Sequence, residues 1–258
     1  MSVACALFNR NIVEAVLEGV RWQRGALVVE EDGLLLVAGA EDFPIGYGNC
    51  ALRMDPALPA EDCIGRAEDF FAEQGRGFSL WVREGLDADI ESALAARGLK
   101  PRVHSPWMFL SDAPPVPELP AGIELRWADS VADIEDATGV LAEAYAPTGL
   151  PAEITRSLFA APERLLHPAL RVLLLREQGR VLATAQLLCT HGMGGIYWVG
   201  TRPDCGRRGL GALATALLVR EAFALGLPRV GLHATPMGQP VYARLGFRVD
   251  GGHRWYVL

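Results

Sequence analysis

Two twenty-residue segments of the chain resemble each other and restrict the possible folds most. Residues 91–110 read ESALAARGLKPRVHSPWMFL and residues 239–258 read QPVYARLGFRVDGGHRWYVL. Aligned without a gap, they share an alanine, a glycine, a tryptophan and a leucine. Each has the pattern of a short helix, a glycine and a strand, and a similar helix–glycine–strand pattern precedes each copy. We therefore predict a duplicated α/β unit, with one copy in each half.

A proline-rich segment separates the two halves. Residues 111–120 contain four prolines, which remove backbone donors and favour an extended path. We predict one domain over residues 1–112, a linker over 113–120 and a second domain over 121–258. In the second domain, strands are predicted at 123–127, 171–177, 180–189, 195–201, 229–233 and 247–258, and helices at 131–145, 152–159, 210–225 and 239–245. This order predicts an α/β fold with a mixed sheet flanked by helices.

Charge and composition exclude several classes of partner. The net charge is −7, and residues 1–120 hold ten Lys and Arg against nineteen Asp and Glu, which disfavours nucleic-acid binding. No apolar run is long enough to span a bilayer, and we recognise no secretion signal. The five cysteines show neither a disulfide framework nor metal-ligand spacing. We expect a cytoplasmic protein, monomeric or homodimeric, without a metal, nucleic-acid or membrane partner.

A loop rich in glycine and arginine connects a predicted strand to a predicted helix. Residues 199–212 read VGTRPDCGRRGLGA. A helix N-terminus leaves backbone N–H groups without partners, and glycines allow a phosphate to approach the backbone closely. The leucines at 210, 213, 217 and 218 share one face of the helix and are expected to hold it on the sheet. The pattern predicts a pyrophosphate site, and it lacks the Walker lysine and the acidic residue of a dinucleotide fingerprint.

This segment resembles the GNAT superfamily of acyl-CoA N-acyltransferases, whose signature is a strand, Arg/Gln-x-x-Gly-x-Gly/Ala and a helix. The signature falls on residues 206–211, although Gly206 stands where the family usually has Arg or Gln. A second family segment is similar to residues 233–247, where Thr235 lies seven residues before Tyr242 and Tyr242 four before a Gly-Phe pair. The resemblance implies two GNAT-like domains, of which the first is degenerate.

The resemblance also implies an activity. GNAT enzymes transfer an acetyl group from acetyl-CoA by direct attack of an amine, here the primary amine of a small-molecule acceptor, without a metal. The cofactor-binding residues it implies are Val199, Gly200, Thr201, Gly206, Arg207, Arg208, Gly209, Leu210, Gly211, Ala212 and Thr235. Because Gly206 replaces the leading Arg or Gln, binding is expected to depend on main-chain donors and the two arginines.

Two catalytic residues are predicted. The resemblance makes Tyr242 the general acid that protonates the departing thiolate, since a phenol is protonated at neutral pH. Many relatives have a glutamate base on the strand before the loop, but this strand has none. His233 is the candidate base because its side chain titrates near neutral pH. Glu143, Glu153 and a chain of water molecules are alternatives.

The first half lacks the residues of such a site. The counterpart of the cofactor loop, located by counting within the repeat, is the segment 56–62 around Ala60, which has no glycine and two carboxylates that would repel a pyrophosphate. Leu94 stands at the place of Tyr242. We expect one working site. Two alternatives remain open: a non-catalytic acyl-CoA-binding or sensor protein, and a tandem-GNAT transferase with an aminoacyl donor or a larger acceptor such as a thiol-sugar.

Overall fold

One eleven-stranded sheet runs through both halves of the chain in a computed structural model, which describes residues 2–44, 48–115 and 118–258. The first half contains α1 (Val3–Arg21), β1 (Leu27–Glu31), β2 (Leu34–Ala38), β3 (Asn49–Arg53), α2 (Ala60–Glu73), β4 (Ser79–Arg83), α3 (Ala88–Ala96) and β5 (Val103–Leu110). Val116 and Pro117 of the predicted linker lie outside the described residues.

The second half follows the predicted order of elements. It contains β6 (Ile123–Trp127), α4 (Val131–Tyr145), α5 (Ala152–Leu158), β7 (Leu170–Glu177), β8 (Arg180–Thr190), β9 (Met193–Thr201), α6 (Leu210–Ala224), β10 (Val230–His233), α7 (Gln239–Arg244) and β11 (Arg248–Val257). The α/β class, with a mixed sheet flanked by helices, is confirmed. No described helix is both long enough and apolar enough to cross a membrane.

The two halves exchange their last strands. The strand order is β1-β2-β3-β4-β11-β5-β10-β9-β8-β7-β6. Strand β11 of the second half pairs with β4 of the first, and β5 of the first half pairs with β10 of the second. The parallel pairs are β3–β4 and β9–β10. The half-sheet of each half is therefore completed by a strand from the other, which the sequence did not predict.

The repeat occupies equivalent places in this arrangement. Trp107 and Trp255 match in the aligned segments, and each lies on an exchanged strand. Trp107 pairs with His233 at the end of β10, and Trp255 pairs with Trp81 on β4. In the first half β4 is parallel to β3 and is followed in the sheet by the exchanged strand β11. In the second half β10 is parallel to β9 and is followed by the exchanged strand β5, so the same set of strands occurs twice. This topology supports the predicted duplication.

Helices cover the two faces of the sheet in separate sets. Helices α1, α4 and α5 pack on one face, which we call the α1 face. Helices α6 and α7 cover the opposite face of the second half, and α2 and α3 that of the first. The four leucines of α6 are buried against the sheet as predicted. The apolar face of α6 stabilises its position on the sheet, because its burial removes a large area from water.

Helix α1 comes from the first half but packs on strands of the second. Asn11 of α1 is fully buried, and its Nδ2 donates to the carbonyl of Leu188 (3.1 Å) and to the hydroxyl of Thr190 (2.7 Å). Its Oδ1 accepts from the Tyr197 hydroxyl (2.6 Å). A Cβ on Gly195 would lie 1.8 Å from the same oxygen. This contact fixes α1 to β8 and β9 because a buried amide must keep its partners.

Candidate functional site

The strands β9 and β10 separate where the candidate site begins. Their parallel pairing runs from Gly194–Val230 to Ile196–Leu232, although β9 continues to Thr201. The backbone of β10 turns away to β5, where the Ala234 N–H donates to the Pro106 carbonyl (2.9 Å). The segment of β9 beyond Ile196 therefore does not pair with β10, as expected for the opened strands that hold the pantetheine arm in GNAT enzymes.

A β-bulge reinforces this separation. The register of β9 with β8 shifts between the pairs Thr184–Gly200 and Gln186–Tyr197. Trp198 lies in the bulge with a φ of 51°, which is uncommon for a bulky residue. Bulges redirect side chains and interrupt pairing, and they are frequent at functional sites. The bulge brings the backbone of Val199 to Thr201 to the open end of the strand pair.

The loop after β9 presents a row of backbone donors. Arg207 and Gly209 have left-handed φ values of 65° and 75°, and Gly209 is the N-cap of α6. Within the described chain, the N–H groups of residues 207–212 donate to no backbone or side-chain acceptor. A Cβ on Gly211 would lie 3.5 Å from the Thr201 hydroxyl, so the helix start lies against the end of β9. These groups fit a pyrophosphate, which accepts several hydrogen bonds at a helix N-terminus.

The two arginines of the loop differ in their partners. Arg208 forms two hydrogen bonds with the Glu177 carboxylate, at 2.6 and 3.1 Å. Arg207 is exposed, and among the described residues no carboxylate lies within ion-pair distance of it. Arg207 is therefore the arginine whose charge is available to an anion, and Arg208 ties the loop to β7. The sequence pattern did not separate these two roles.

Tyr242 lies over the turn that carries Thr235. The Thr235 hydroxyl accepts from the Gly238 N–H (3.1 Å), and a Cβ on Gly238 would lie 2.8 Å from the Tyr242 ring. The structure thus brings Thr235 and Tyr242 together. Burial raises the pKa of Tyr242 to about 12, so its hydroxyl is protonated at neutral pH.

A second phenol, Tyr145, lies near Tyr242 and was not predicted. Its hydroxyl donates to the Val199 carbonyl in the bulge (3.2 Å). Burial raises the pKa of Tyr145, and the negative charge of an ionised Tyr242 would raise it further. Tyr145 stands at the end of α4 in no recognisable motif, so the sequence offered no signal for it.

His233 is enclosed by aromatic rings on the α1 face. Ring centroids of described residues lie within 6.5 Å of it in His253 (5.2 Å), Phe8 (5.6 Å), Trp81 (6.1 Å), Trp107 (6.4 Å) and Trp255 (6.4 Å). Burial lowers the pKa of His233 to about 3, which keeps the imidazole neutral at pH 7. Its Nε2 lies 3.1 Å from His253 Nδ1. Sequence reasoning missed His253, because only the exchange of strands brings β11 beside β5.

The other candidate bases are placed differently. Glu143 forms an ion pair with Arg202, whose Nε also donates to the Val181 carbonyl (2.7 Å). Glu153 is exposed on α5. Among the described residues, no group of three or more His, Cys, Asp or Glu side chains is arranged to hold a metal ion.

Aromatic residues continue along the α1 face from the bulge. Trp198 contacts Tyr145 and Phe159, with ring centroids at 5.5 and 5.0 Å, and Phe159 stacks on Trp22 at 5.5 Å. Gln186 pairs with Tyr197 on the neighbouring strand, so both side chains lie on this face. Its buried Oε1 has no hydrogen-bond partner among the described residues. The sequence did not predict this row of side chains on the α1 face.

The corresponding end of the first half is closed by ion pairs. Arg53 ends β3, and its guanidinium donates to Asp87 (2.7 Å) and Asp89 (2.6 Å). Arg83 ends β4 and donates to the same Asp87 (2.7 Å). Helix α2 begins at Ala60, with acidic residues in its first turn, and Leu94 is fully buried in α3. These charged side chains fill the place that stays open between β9 and β10.

The sequence is similar to known acetyltransferases. Residues 117–237 match the family model described as acetyltransferase (GNAT) domain. A mycothiol acetyltransferase of Clavibacter michiganensis subsp. michiganensis is 28% identical over 254 residues, covering 88% of this chain and 81% of that protein.

Solved structures share the fold over most of the chain. A GCN5-related N-acetyltransferase from Kribbella flavida has a TM-score of 0.69 at 24% identity, covering 95% of this chain and 93% of that one. A tandem GNAT protein from the clavulanic acid biosynthesis pathway has a TM-score of 0.63 at 14% identity, covering 94% and 86%. Residues 117–237 are therefore similar to the GNAT acetyltransferase domain, and the chain as a whole shares the fold of these solved structures, one of them a tandem GNAT protein.

Proposed function

We propose that the protein is an N-acetyltransferase that transfers the acetyl group of acetyl-CoA to the primary amine of a small molecule. The row of N–H groups at residues 207–212, which have no acceptor among the described residues and lie beside the opened end of β9 and β10, carries this proposal. A pyrophosphate would satisfy these donors, and the helix dipole of α6 favours its negative charge. The closed end of the β3–β4 pair supports a single working site.

The predicted cofactor-binding residues take three roles in this proposal. The loop from Gly206 to Ala212 holds the pyrophosphate through its backbone, with Arg207 adding charge. The β9 backbone of Val199, Gly200 and Thr201 holds the pantetheine arm, and Thr235 shapes the turn that carries Tyr242. A backbone N–H of the bulge stabilises the oxyanion that forms when the amine attacks.

Two side chains move protons in the proposed reaction. His233 takes a proton from the acceptor nitrogen, and Tyr242 gives one to the sulfur as the C–S bond breaks. The low pKa of His233 does not oppose this role. The amine attacks as the neutral base, and its nitrogen becomes cationic as the C–N bond forms, so the transfer of one proton to the imidazole moves that positive charge without adding another.

The charge of the pyrophosphate allows a sharp test of the cofactor site. Ala212 is the third residue of α6, where Glu is favourable for the helix but would repel a bound anion. We expect Ala212→Glu to raise the Kd for CoA by more than about tenfold in titration calorimetry, an electrostatic cost of about 1.4 kcal/mol. Ala212→Gln has nearly the same size without the charge and is the matched control. Equal affinity of the two variants would exclude the loop as the pyrophosphate site.

Release of free thiol from acetyl-CoA over a panel of amines tests the enzyme activity itself. If the protein is an enzyme, the rate of thiol release rises with the concentration of at least one of the acceptors. A non-catalytic sensor binds CoA without turnover. Similarity to a protein named mycothiol acetyltransferase favours a second candidate function, in which the acceptor is larger, such as a thiol-sugar. Amines of that kind, carried on a thiol-sugar, therefore belong in the panel. Thiol release with none of these amines, despite CoA binding, would favour the sensor.

A further inference from the structure

The Val199 carbonyl lies where β9 is in register with neither of its neighbouring strands. In the described chain the pairing of β9 with β10 ends at Ile196, and the register with β8 passes from Tyr197 to Gly200 without Val199. A backbone carbonyl that is removed from water needs a hydrogen-bond donor. The Tyr145 hydroxyl supplies one at 3.2 Å. A side chain at the end of α4 thus donates where a neighbouring strand would otherwise do so.

Val199 also contacts the cofactor loop. A Cβ on Gly211 would lie 3.9 Å from Val199 Cγ1 and 3.5 Å from the Thr201 hydroxyl, so the Val199 side chain lies against the start of α6. This side chain packs in the core that contains α6, whereas Tyr145 packs in the core on the α1 face. Val199 therefore joins the end of α4, on one face of the sheet, to the loop on the other face where we place the pyrophosphate.

Tyr145 contacts both residues of the bulge. Trp198 has a φ of 51°, a conformation that persists at a bulky residue only when its surroundings hold it. The ring of Tyr145 packs edge-on against the ring of Trp198, at 5.5 Å between centroids, while its hydroxyl bonds to Val199. The two contacts can be separated, because Tyr145→Phe keeps the ring and removes only the hydroxyl.

We propose that Tyr145 is a positioning residue whose hydroxyl fixes the Val199 peptide group, so that the backbone of the bulge is oriented for the thioester before acetyl-CoA binds. This inference rests on the proposed acetyl transfer. Backbone donors stabilise a developing oxyanion best when they need no reorganisation during the reaction. A carbonyl oxygen has two lone pairs, so the bond from Tyr145 leaves one for an amide N–H of the pantetheine arm. Tyr145 acts through Val199 and transfers no proton.

The hydrogen bond is measured by NMR of protein labelled with ¹³C in its valine carbonyls and with ¹⁵N in its glycines. A valine is followed by a glycine at residues 199–200 and 230–231 of the sequence, so the spectrum contains two carbonyl signals. We expect Tyr145→Phe to move the Val199 signal upfield, because a carbonyl carbon is less deshielded without its hydrogen bond. Val230 lies on β10 and is the internal reference, whose signal should stay in place.

Thiol release measures the effect on the reaction. We expect Tyr145→Phe to lower kcat about tenfold, which is less than the factor of about 10² to 10³ for the loss of an oxyanion donor itself. The KM for acetyl-CoA should change by less than about twofold, because the pyrophosphate loop is intact. Tyr256→Phe is the matched control. It removes the hydroxyl of another buried tyrosine, in the core of the first half, and should change neither kcat nor the Val199 signal.

The two measurements separate this inference from the proposed function. An unchanged Val199 signal in Tyr145→Phe overturns the inference, because the hydroxyl would then not bind the carbonyl in solution. A shifted signal with an unchanged kcat, or with a raised KM alone, overturns it as well, because the bond would then serve only packing or cofactor binding. Each of these results leaves acetyl transfer intact. A wild-type protein that binds CoA but turns over no amine overturns the proposed function, and this inference with it.

Discussion

Tyr242 lies near Tyr145, whose hydroxyl donates to the Val199 carbonyl, and its own hydroxyl stays protonated at neutral pH. Its pKa of about 12 follows from burial, so the phenol can serve as an acid throughout the neutral range. We expect Tyr242→Phe to lower kcat by about 100-fold or more, because general acid catalysis by one group contributes factors of about 10² to 10⁴. The KM for acetyl-CoA should change little. Steady-state thiol release measures both constants.

Tyr256 provides the control for this substitution. It is a buried tyrosine on β11 that packs in the core between the first-half sheet and α2 and α3. Tyr256→Phe should leave kcat unchanged. If Tyr242→Phe also left kcat unchanged, Tyr242 would only pack against the turn, and the acid role would be rejected.

The buried histidines make stability depend on pH. His233 has a folded-state pKa of about 3, against about 6.5 in an unfolded chain, and burial lowers the pKa of His253 too. Between these values the unfolded state binds more protons, so the free energy of unfolding falls as the pH falls below 6.5. We expect His233 alone to cost about 2 kcal/mol between pH 6.5 and pH 5.

Urea unfolding at pH 7.5 and pH 5 measures this effect. His233→Gln should reduce the loss of stability on acidification by that amount. An identical pH dependence in wild type and His233→Gln would show that His233 is solvated and titrates normally.

At the residue scale, sequence predicted the groups that belong to a local motif. Thr235 and Tyr242 were predicted from their spacing, which one turn and one short helix maintain. The positions of Trp198, Tyr145 and His253 were not predicted. A left-handed φ at a tryptophan has no sequence signal, since glycine is the residue expected there. Tyr145 and His253 contact residues that lie 54 and 20 positions away in the chain.

The element scale shows why one strand pair is open and the other is closed. Both pairs are parallel and both are followed by a helix, but β3 and β4 end in arginines whereas β9 and β10 do not. Asp87 is fully buried between Arg53 and Arg83, and their hydrogen bonds hold its pKa low despite its burial. A buried carboxylate that pairs with two guanidinium groups cannot be removed without leaving charge uncompensated.

We expect Asp87→Asn to lower the free energy of unfolding by about 3 to 5 kcal/mol, because two buried arginines lose their shared partner. CoA affinity should remain unchanged in the fraction that folds. Asp89→Asn is the control: Asp89 also pairs with Arg53, but its side chain is 52% exposed, so the loss should stay below about 1 kcal/mol. Urea unfolding and CoA titration give both quantities. A loss of CoA binding in folded Asp87→Asn would place a working site in the first half.

The molecule as a whole is held together by exchanged strands. Without β5, one edge of β10 has no partner, and without β11 the same is true of β4. Unpaired edges inside a sheet leave backbone groups unsatisfied and favour aggregation. We expect residues 118–258, expressed alone, to aggregate or to fail to bind CoA, and co-expression with residues 1–115 to give a one-to-one complex that binds it.

Size-exclusion chromatography and CoA titration of the two fragments, with the intact chain as reference, check this expectation. A monomeric second fragment with the CoA affinity of the intact chain would contradict it. The halves would then be independent domains joined at a boundary, as the proline-rich segment suggests when considered alone.

The sequence by itself determined the elements and the loop. Apolar periodicity, glycine positions and the strand–loop–helix pattern act over ten to twenty residues, and they predicted α4, α6, the β7–β8 hairpin and the loop before α6 close to their observed bounds. The tertiary structure decided which strand completes which half and which residues surround His233. Strand partners at large sequence separation are chosen by the packing of whole sheets. No local sequence pattern predicts that β5 lies between β10 and β11. The environment of His233, the proposed base, therefore followed only from the fold.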